Sequence, residues 1–116
     1  MDDEKILKFL FDIKLAIEEI EMFLSSQEKT FFKYSNNIIL KRAVERNLEI
    51  IGEAMNRILK ENQHFEISNS SRIIGLRNQI IHSYDNVSDE NIWSIIINHI
   101  PKLKIEIENK INNSTL

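Results

Sequence analysis

No cysteine occurs anywhere in this chain, which excludes disulfides and thiolate metal sites outright. Such a chain suits a reducing compartment, and a cytoplasmic location is the expectation. Glycine is nearly as scarce, at 2 residues, and proline appears once, as Pro101. Sheets and loop-rich folds draw on turn formers, so this shortage points to long helices with few connections. Long apolar runs are missing too. Stretches such as Ile95-Ile96-Ile97 fall far short of a membrane span, and no membrane partner is expected. The acidic start, Met1-Asp2-Asp3-Glu4, is wrong for a secretory signal. An excess of positive charge is also lacking: 15 basic side chains stand against 18 acidic ones, a net charge of −3. A protein built mainly to grip duplex nucleic acid is usually basic. Any RNA contact here is therefore expected to be local, brief, or completed by a partner or a second copy. No two histidines are spaced i, i+4, and no glycine-rich phosphate loop exists. Metal-hydrolase and P-loop readings have no support, and neither a metal nor a cofactor is expected.

What is present is helical periodicity. Ile6, Leu7, Leu10, Ile13, Leu15, Ile17, Ile20, Phe23 and Leu24 recur at three and four over residues 2–26, and Ser25-Ser26-Gln27 weakens the pattern. Thr30 can cap a short turn through Phe31, Phe32 and Tyr34, three rings expected to join the core. A long helix is predicted from Ser35 to Asn62, with Leu40, Val44, Leu48, Ile51, Met55, Ile58 and Leu59 in one stripe, widened by Ile39, Ala43, Ile50 and Ala54 so that more than one face is expected to be buried. Gly52 sits inside it, where it costs about 1 kcal/mol against alanine. Close approach of another helix is the expected return. Residues 63–70 form a polar connection whose His64 is read as solvated. A third helix is expected over Ser71–Tyr84, broken by Asp85-Asn86. Ser88 caps a fourth running to about Asn112, which Pro101 should kink or split, and the tail after it should fray. The architecture that follows is all-α, an up-and-down bundle of four to five helices in one domain, residues 1–116.

The third helix carries the chemistry. At about 100° per residue, Ile73, Leu76 and Ile80 cluster on one side and can face the core. Ile74 and Ile81 form a second apolar strip beside Arg77, next to a face bearing Asn78 and His82. A second stripe flanking polar groups suggests a subunit interface. Tyr84, at the end of this helix, falls about 20° from Arg77. Arginine and histidine suit metal-free cleavage of a phosphodiester that brings its own nucleophile, the RNA 2′-hydroxyl. A histidine such as His82 can move protons, and Arg77 can fork onto phosphate oxygens. The two diverge by about 140° on one helix, so two copies across a two-fold axis converge better than one. The plain alternatives are an interface ion pair for Arg77 and a helix-end histidine for His82. His99 is expected to be a surface or interface residue.

The string Arg77-Asn78-Gln79-Ile80-Ile81-His82-Ser83-Tyr84 resembles the Arg-Asn-x-x-x-His-x-Tyr motif of HepT-like toxins in the HEPN superfamily. Ala43-Val44-Glu45-Arg46-Asn47-Leu48-Glu49-Ile50-Ile51-Gly52-Glu53-Ala54 is similar to that family's second helix, and Val87 through Trp93 leading to Pro101 fits as well. The resemblance implies a HEPN-like bundle that dimerises, or assembles into a higher even oligomer, through the motif helix. It implies an endoribonuclease toxin acting on tRNA or mRNA, with Arg77 and His82 catalytic and Asn78 positioning phosphate. Tyr84 matches the tyrosine that a cognate MNT-type nucleotidyltransferase antitoxin modifies with AMP, placing an anion beside Arg77. Glu53 could support Arg77 or a second copy's arginine, or simply face solvent. The family's Pro-Trp-Arg-like opening is replaced here by Ile67-Ser68-Asn69-Ser70-Ser71-Arg72. The competing functional reading is a non-catalytic nucleotide-binding or regulatory subunit of a nucleotidyltransferase complex, in which Arg77 only holds phosphate. A third is a plain oligomerising helical module.

Overall fold

The first apolar stripe forms α1 (Asp2–Ser25) in the computed structural model, which describes residues 2–25 and 29–114. Ser26, Gln27, Thr115 and Leu116, on which part of the expected helix weakening and tail fraying fell, lie outside the described residues. Thr30 caps α2 (Phe31–Ser35) as expected, its Oγ1 accepting the Lys33 N–H at 3.2 Å. Of the three rings around it, Tyr34 is buried and packs on Trp93 with centroids 5.5 Å apart. Phe31 is half-buried, its edge on the same indole at 6.4 Å. Phe32, at 70% exposure, corrects the expectation of three core rings. In so short a helix, positions i and i+3 share the inward face, and the residue between is turned out.

The long helix α3 (Ile38–Glu61) begins later than expected, because Asn37 supplies the cap: its Oδ1 accepts the Leu40 N–H at 3.0 Å. It runs antiparallel to α1. Lys5 pairs with Glu61 at 3.4 Å near one end, and Asn47 Nδ2 donates to the Ala16 carbonyl at 3.1 Å further along. Ile13, Ile17, Leu48, Ile51, Met55 and Ile58 are fully buried between them and their neighbours. Cutting any of the larger ones to alanine typically costs about 2–5 kcal/mol.

Residues 63–69 lead to α4 (Ser70–His82). Asn69 makes the turn in left-handed backbone, φ 60°, which asparagine tolerates better than most residues. Ile73 and Leu76 are buried and Ile80 half-buried, as the wheel required. The helix stops at His82. Ser83 leaves helical space at φ −144°, ψ 50°, and a 3-10 turn follows over Tyr84–Asn86. The expected helix to Tyr84 is thus too long by two residues.

Ser88 caps α5 (Asp89–Ser94), its Oγ accepting the Asn91 N–H at 3.1 Å. A π-turn (Ile95–His99) joins α5 to α6 (Ile100–Asn113). Pro101 does split the helix, but the disturbance lies one turn upstream. In a regular α-helix its ring clashes with the carbonyl four residues back. Here the preceding turn is widened, and the Ile100 N–H reaches the Ile95 carbonyl, an i to i−5 bond. α6 returns along α1, with Lys104 on Glu21 at 3.0 Å. The described residues contain no strand, and the bundle is all-α. No helix among them is long and apolar enough to cross a membrane.

The two glycines differ in kind. Gly52 is buried where α4 crosses α3, and a Cβ there would lie 2.4 Å from Arg77 Cβ. The close approach expected from the sequence is with the helix that carries the motif. Gly75 is exposed on α4, and a Cβ there would meet nothing within 4 Å. Gly75→Ala should therefore stabilise the fold by about 1 kcal/mol through helix propensity alone. Thermal melting checks this, and a loss of stability would mean that something outside the chain already fills that space.

Candidate active site on the fourth helix

Where α4 crosses α3, the absence of a side chain at Gly52 lets Arg77 lie against α3 with only 23% of its side chain exposed. Two groups then fix its guanidinium. Nη1 donates to Asn78 Oδ1 at 2.9 Å. Nη2 stands 2.7 Å from Glu53 Oε1, close enough for strong attraction, although the angle falls short of an aligned hydrogen bond. Nε is buried without a hydrogen-bond partner. Glu53 is shared, because its Oε2 accepts from Arg57 Nε at 2.8 Å. The sequence left the target of Glu53 open. The structure places it on Arg77 of the same chain.

These residues border an open cleft of about 420 Å³ between α1 and α3. Every cation on its wall has a carboxylate partner. Lys8 pairs with Asp12 at 2.9 Å, Arg46 with Glu49 at 3.1 Å, and Arg57 and Arg77 share Glu53. The cleft is rich in charge and largely compensated.

His82 ends α4 one and a half turns beyond Arg77. Its ring is exposed and makes no hydrogen bond among the described residues. It is neither sealed in the core nor committed to another group. Asn78 is also exposed. Ile81, beside His82, is 41% exposed, whereas Ile74 is half-buried against the core. The second apolar strip is therefore open mainly at its His82 end.

Tyr84 does not lie beside Arg77. It follows the end of α4, in the 3-10 turn, and meets α3 about two turns from Glu53. There its hydroxyl donates to Glu45, 2.9 Å from Oε1 and 3.1 Å from Oε2. Glu45 is only 5% exposed. The Arg42 guanidinium lies over the phenol ring, 5.3 Å from its centre. Partial burial raises the Tyr84 pKa, and the hydrogen bond and charge of Glu45 raise it further. Arg42 and Lys41 pull the other way. Glu45→Gln should therefore lower the Tyr84 pKa, because the carboxylate charge vanishes and the accepted hydrogen bond weakens while both cations remain. An ultraviolet phenolate titration can read this. The other tyrosine, Tyr34, is driven far above the usual range, by burial first and then by Glu45. An unmoved first step would show that Glu45 does not hold the phenol in solution.

Within one chain, then, α3 and α4 bring together Arg77, Asn78 and Glu53, and α3 with the 3-10 turn separately brings together Tyr84, Glu45 and Arg42. Glu45 and Glu53 are two turns apart on α3, about 12 Å at 1.5 Å per residue. His82 joins neither group. The sequence reading missed Glu45 and Arg42. The signal available was the spacing Glu45, Glu49, Glu53, a row of carboxylates at i, i+4 and i+8. His99, expected at a surface or interface, is half-buried, with Nε2 2.9 Å from Arg72 Nη1.

Comparison with known proteins bears on this arrangement. A family model described as "Ribonuclease HepT-like" matches residues 13–109. A Methanocaldococcus jannaschii protein named "Putative RNase MJ1380" is 31% identical over 109 residues, covering 93% of this chain and 98% of that protein. A Thermococcus cleftensis protein named "Probable ribonuclease HepT" is 35% identical over 102 residues, covering 86% and 90%. One from Caldanaerobacter subterraneus, named "Putative RNase TTE0752", is 32% identical over 95 residues, covering 79% and 84%. No solved structure matches.

Proposed function

From the premise that this chain belongs to the HepT-like family, we propose that it is a ribonuclease cleaving RNA with Arg77 and His82. The observation that carries the reading is the pairing of these two residues on one helix. Arg77 is pre-oriented by Glu53 and Asn78 yet still reaches solvent, and His82 is exposed and uncommitted. In the reaction the substrate's 2′-oxygen bonds to phosphorus and the bond from phosphorus to the 5′-oxygen breaks. One imidazole takes the 2′-hydroxyl proton, and a proton is returned to the leaving 5′-oxygen. Arg77 offsets the charge that builds on the phosphoryl oxygens. The products are a 2′,3′-cyclic phosphate and a 5′-hydroxyl.

A single copy turns Arg77 and His82 about 140° apart. A homodimer, or higher even assembly, brings the imidazole of one copy to the guanidinium of the other, and exposed Ile81 offers an apolar contact beside the site. The biological setting in this reading is a cytoplasmic toxin of a type VII-like pair. It acts on tRNA or mRNA and is restrained by an MNT-type nucleotidyltransferase antitoxin that joins AMP to the Tyr84 oxygen. That oxygen is bonded to Glu45, so modification requires the bond to open, and the added phosphate then lies nearest Arg42. Purified protein incubated with RNA in EDTA should yield cyclic-phosphate ends. RNA left intact by the assembled wild-type protein would overturn the proposal. One observation favours a second reading, a nucleotide-binding regulatory subunit: Glu53 already compensates Arg77. Nucleotide binding without RNA cleavage would support it.

A further inference from the structure

From Ser70 to His82, α4 contains no acidic residue, although the chain as a whole has a net charge of −3. Arg72, Gly75, Asn78, Gln79 and His82 are all exposed. At about 100° per residue they occupy one sector roughly 120° wide. At the start of this face Arg72 is held by neutral groups. Its Nη1 lies 2.9 Å from His99 Nε2, and its Nη2 reaches Asn91 Oδ1 at 3.4 Å. Burial, then the charges of Arg72 and Lys102, keep the His99 pKa below its usual value. A neutral ring can accept through Nε2, so the guanidinium is fixed while its charge stays uncompensated.

Arg46, Arg57 and Arg77 are different, since each stands against a carboxylate. Lys102 has no carboxylate partner among the described residues. With His99 it lines a cleft of about 570 Å³ that also includes Ser68, Asn69 and Asn109. Glu106, the carboxylate on that wall, accepts the Ser68 N–H at 3.0 Å. Between the two ends of the face, Gly75 presents no side chain, so a strand can come close to the helix backbone there.

We propose that Arg72, His99 and Lys102 form a phosphate-binding subsite for a single-stranded RNA substrate, gripping the strand about 15 Å along α4 from His82. The proposal rests on the ribonuclease reading above. At roughly 3.4 Å per stacked nucleotide, the span corresponds to about four nucleotides. A pre-oriented guanidinium loses little freedom on binding phosphate, and Lys102 adds a second, mobile charge.

The test measures binding of single-stranded RNA by fluorescence anisotropy across a salt series, in a His82→Ala background that leaves the strand uncut. Arg72→Ala and Lys102→Ala should each weaken binding about tenfold, the scale of one charge-assisted hydrogen bond. Each should also flatten the salt dependence by about 0.7 in the log–log slope. Arg72→Lys should recover most of both. With His82 restored, KM for RNA should rise in proportion, with far less change in kcat. Lys102→Ala breaks no ion pair or hydrogen bond among the described residues, so its effect cannot be put down to misfolding. Unchanged affinity and slope in both variants, with wild type still cleaving RNA, would overturn the subsite. Wild type that neither binds nor cleaves RNA would overturn the reading beneath it.

Discussion

His82→Ala is expected to reduce kcat/KM for RNA by about 10²–10⁴-fold, the range typical of a lost general acid or base. Folding should be untouched. The ring is exposed and bonded to nothing among the described residues, and surface changes of that kind stay within about 0.5 kcal/mol. A melting curve matching wild type, beside a collapsed cleavage rate, separates chemistry from stability. Arg77→Ala should reduce cleavage comparably. Arg77→Lys should not restore it, because an ammonium cannot reproduce the two-pronged hold on Asn78 and Glu53 or on a phosphate. Assays in EDTA keep adventitious metal hydrolysis out of the measurement. If both alanine variants cut RNA at the wild-type rate, the catalytic assignment fails.

Gly52→Ala is the second large effect, and it acts on stability and activity together. The added Cβ would lie 2.4 Å from Arg77 Cβ, 3.0 Å from its Cγ and 3.1 Å from the Ile73 carbonyl oxygen. None of these is the free end of a flexible side chain. α4 must therefore move as a body, or the two helices must separate. Overpacking of this sort costs about 1–3 kcal/mol. Helix propensity returns about 1 kcal/mol, so a net loss of up to about 2 kcal/mol is expected. Gly52→Val should lose more, since a β-branched side chain cannot turn away from the contact. Denaturant midpoints measure both. Cleavage should fall further than stability explains, because displacing α4 carries Arg77 away from Glu53. A Gly52→Ala protein more stable than wild type would contradict the crossing described here. Gly75→Ala, on the same helix as Arg77 but in open space, is the matched control for stability.

Much of this arrangement was legible in the sequence where one helix settles the matter by itself. The stripe from Leu40 to Ile58 needs only the helical period, and Ser88 and Thr30 needed only the chemistry of caps. Gly52 was readable because a glycine deep in a strong helix needs a reason, and few reasons exist besides a close neighbour. Tyr84 was not readable. Its small angle from Arg77 said nothing of distance along the axis, where seven residues span about 10 Å, and the break at Ser83 is a backbone decision that no periodicity announces. Glu45 and Arg72 escaped for another reason. Their partners stand 39 and 27 positions away, Tyr84 and His99, and such meetings are set by how helices cross. Pro101 marked a disturbance, while its location in the turn before depended on where the clash could be relieved.

That widened turn has a consequence for how the chain can change length. A π-turn absorbs one surplus residue in a helix that otherwise keeps its phase. Ile92 on one side and Leu103 and Ile107 on the other all face the interior across it. Deleting exposed Ile97 or Asn98 would therefore leave both inward faces aligned, with the penalty concentrated at Pro101. The same single deletion in the middle of α3 would rotate everything downstream by about 100° and dismantle the bundle.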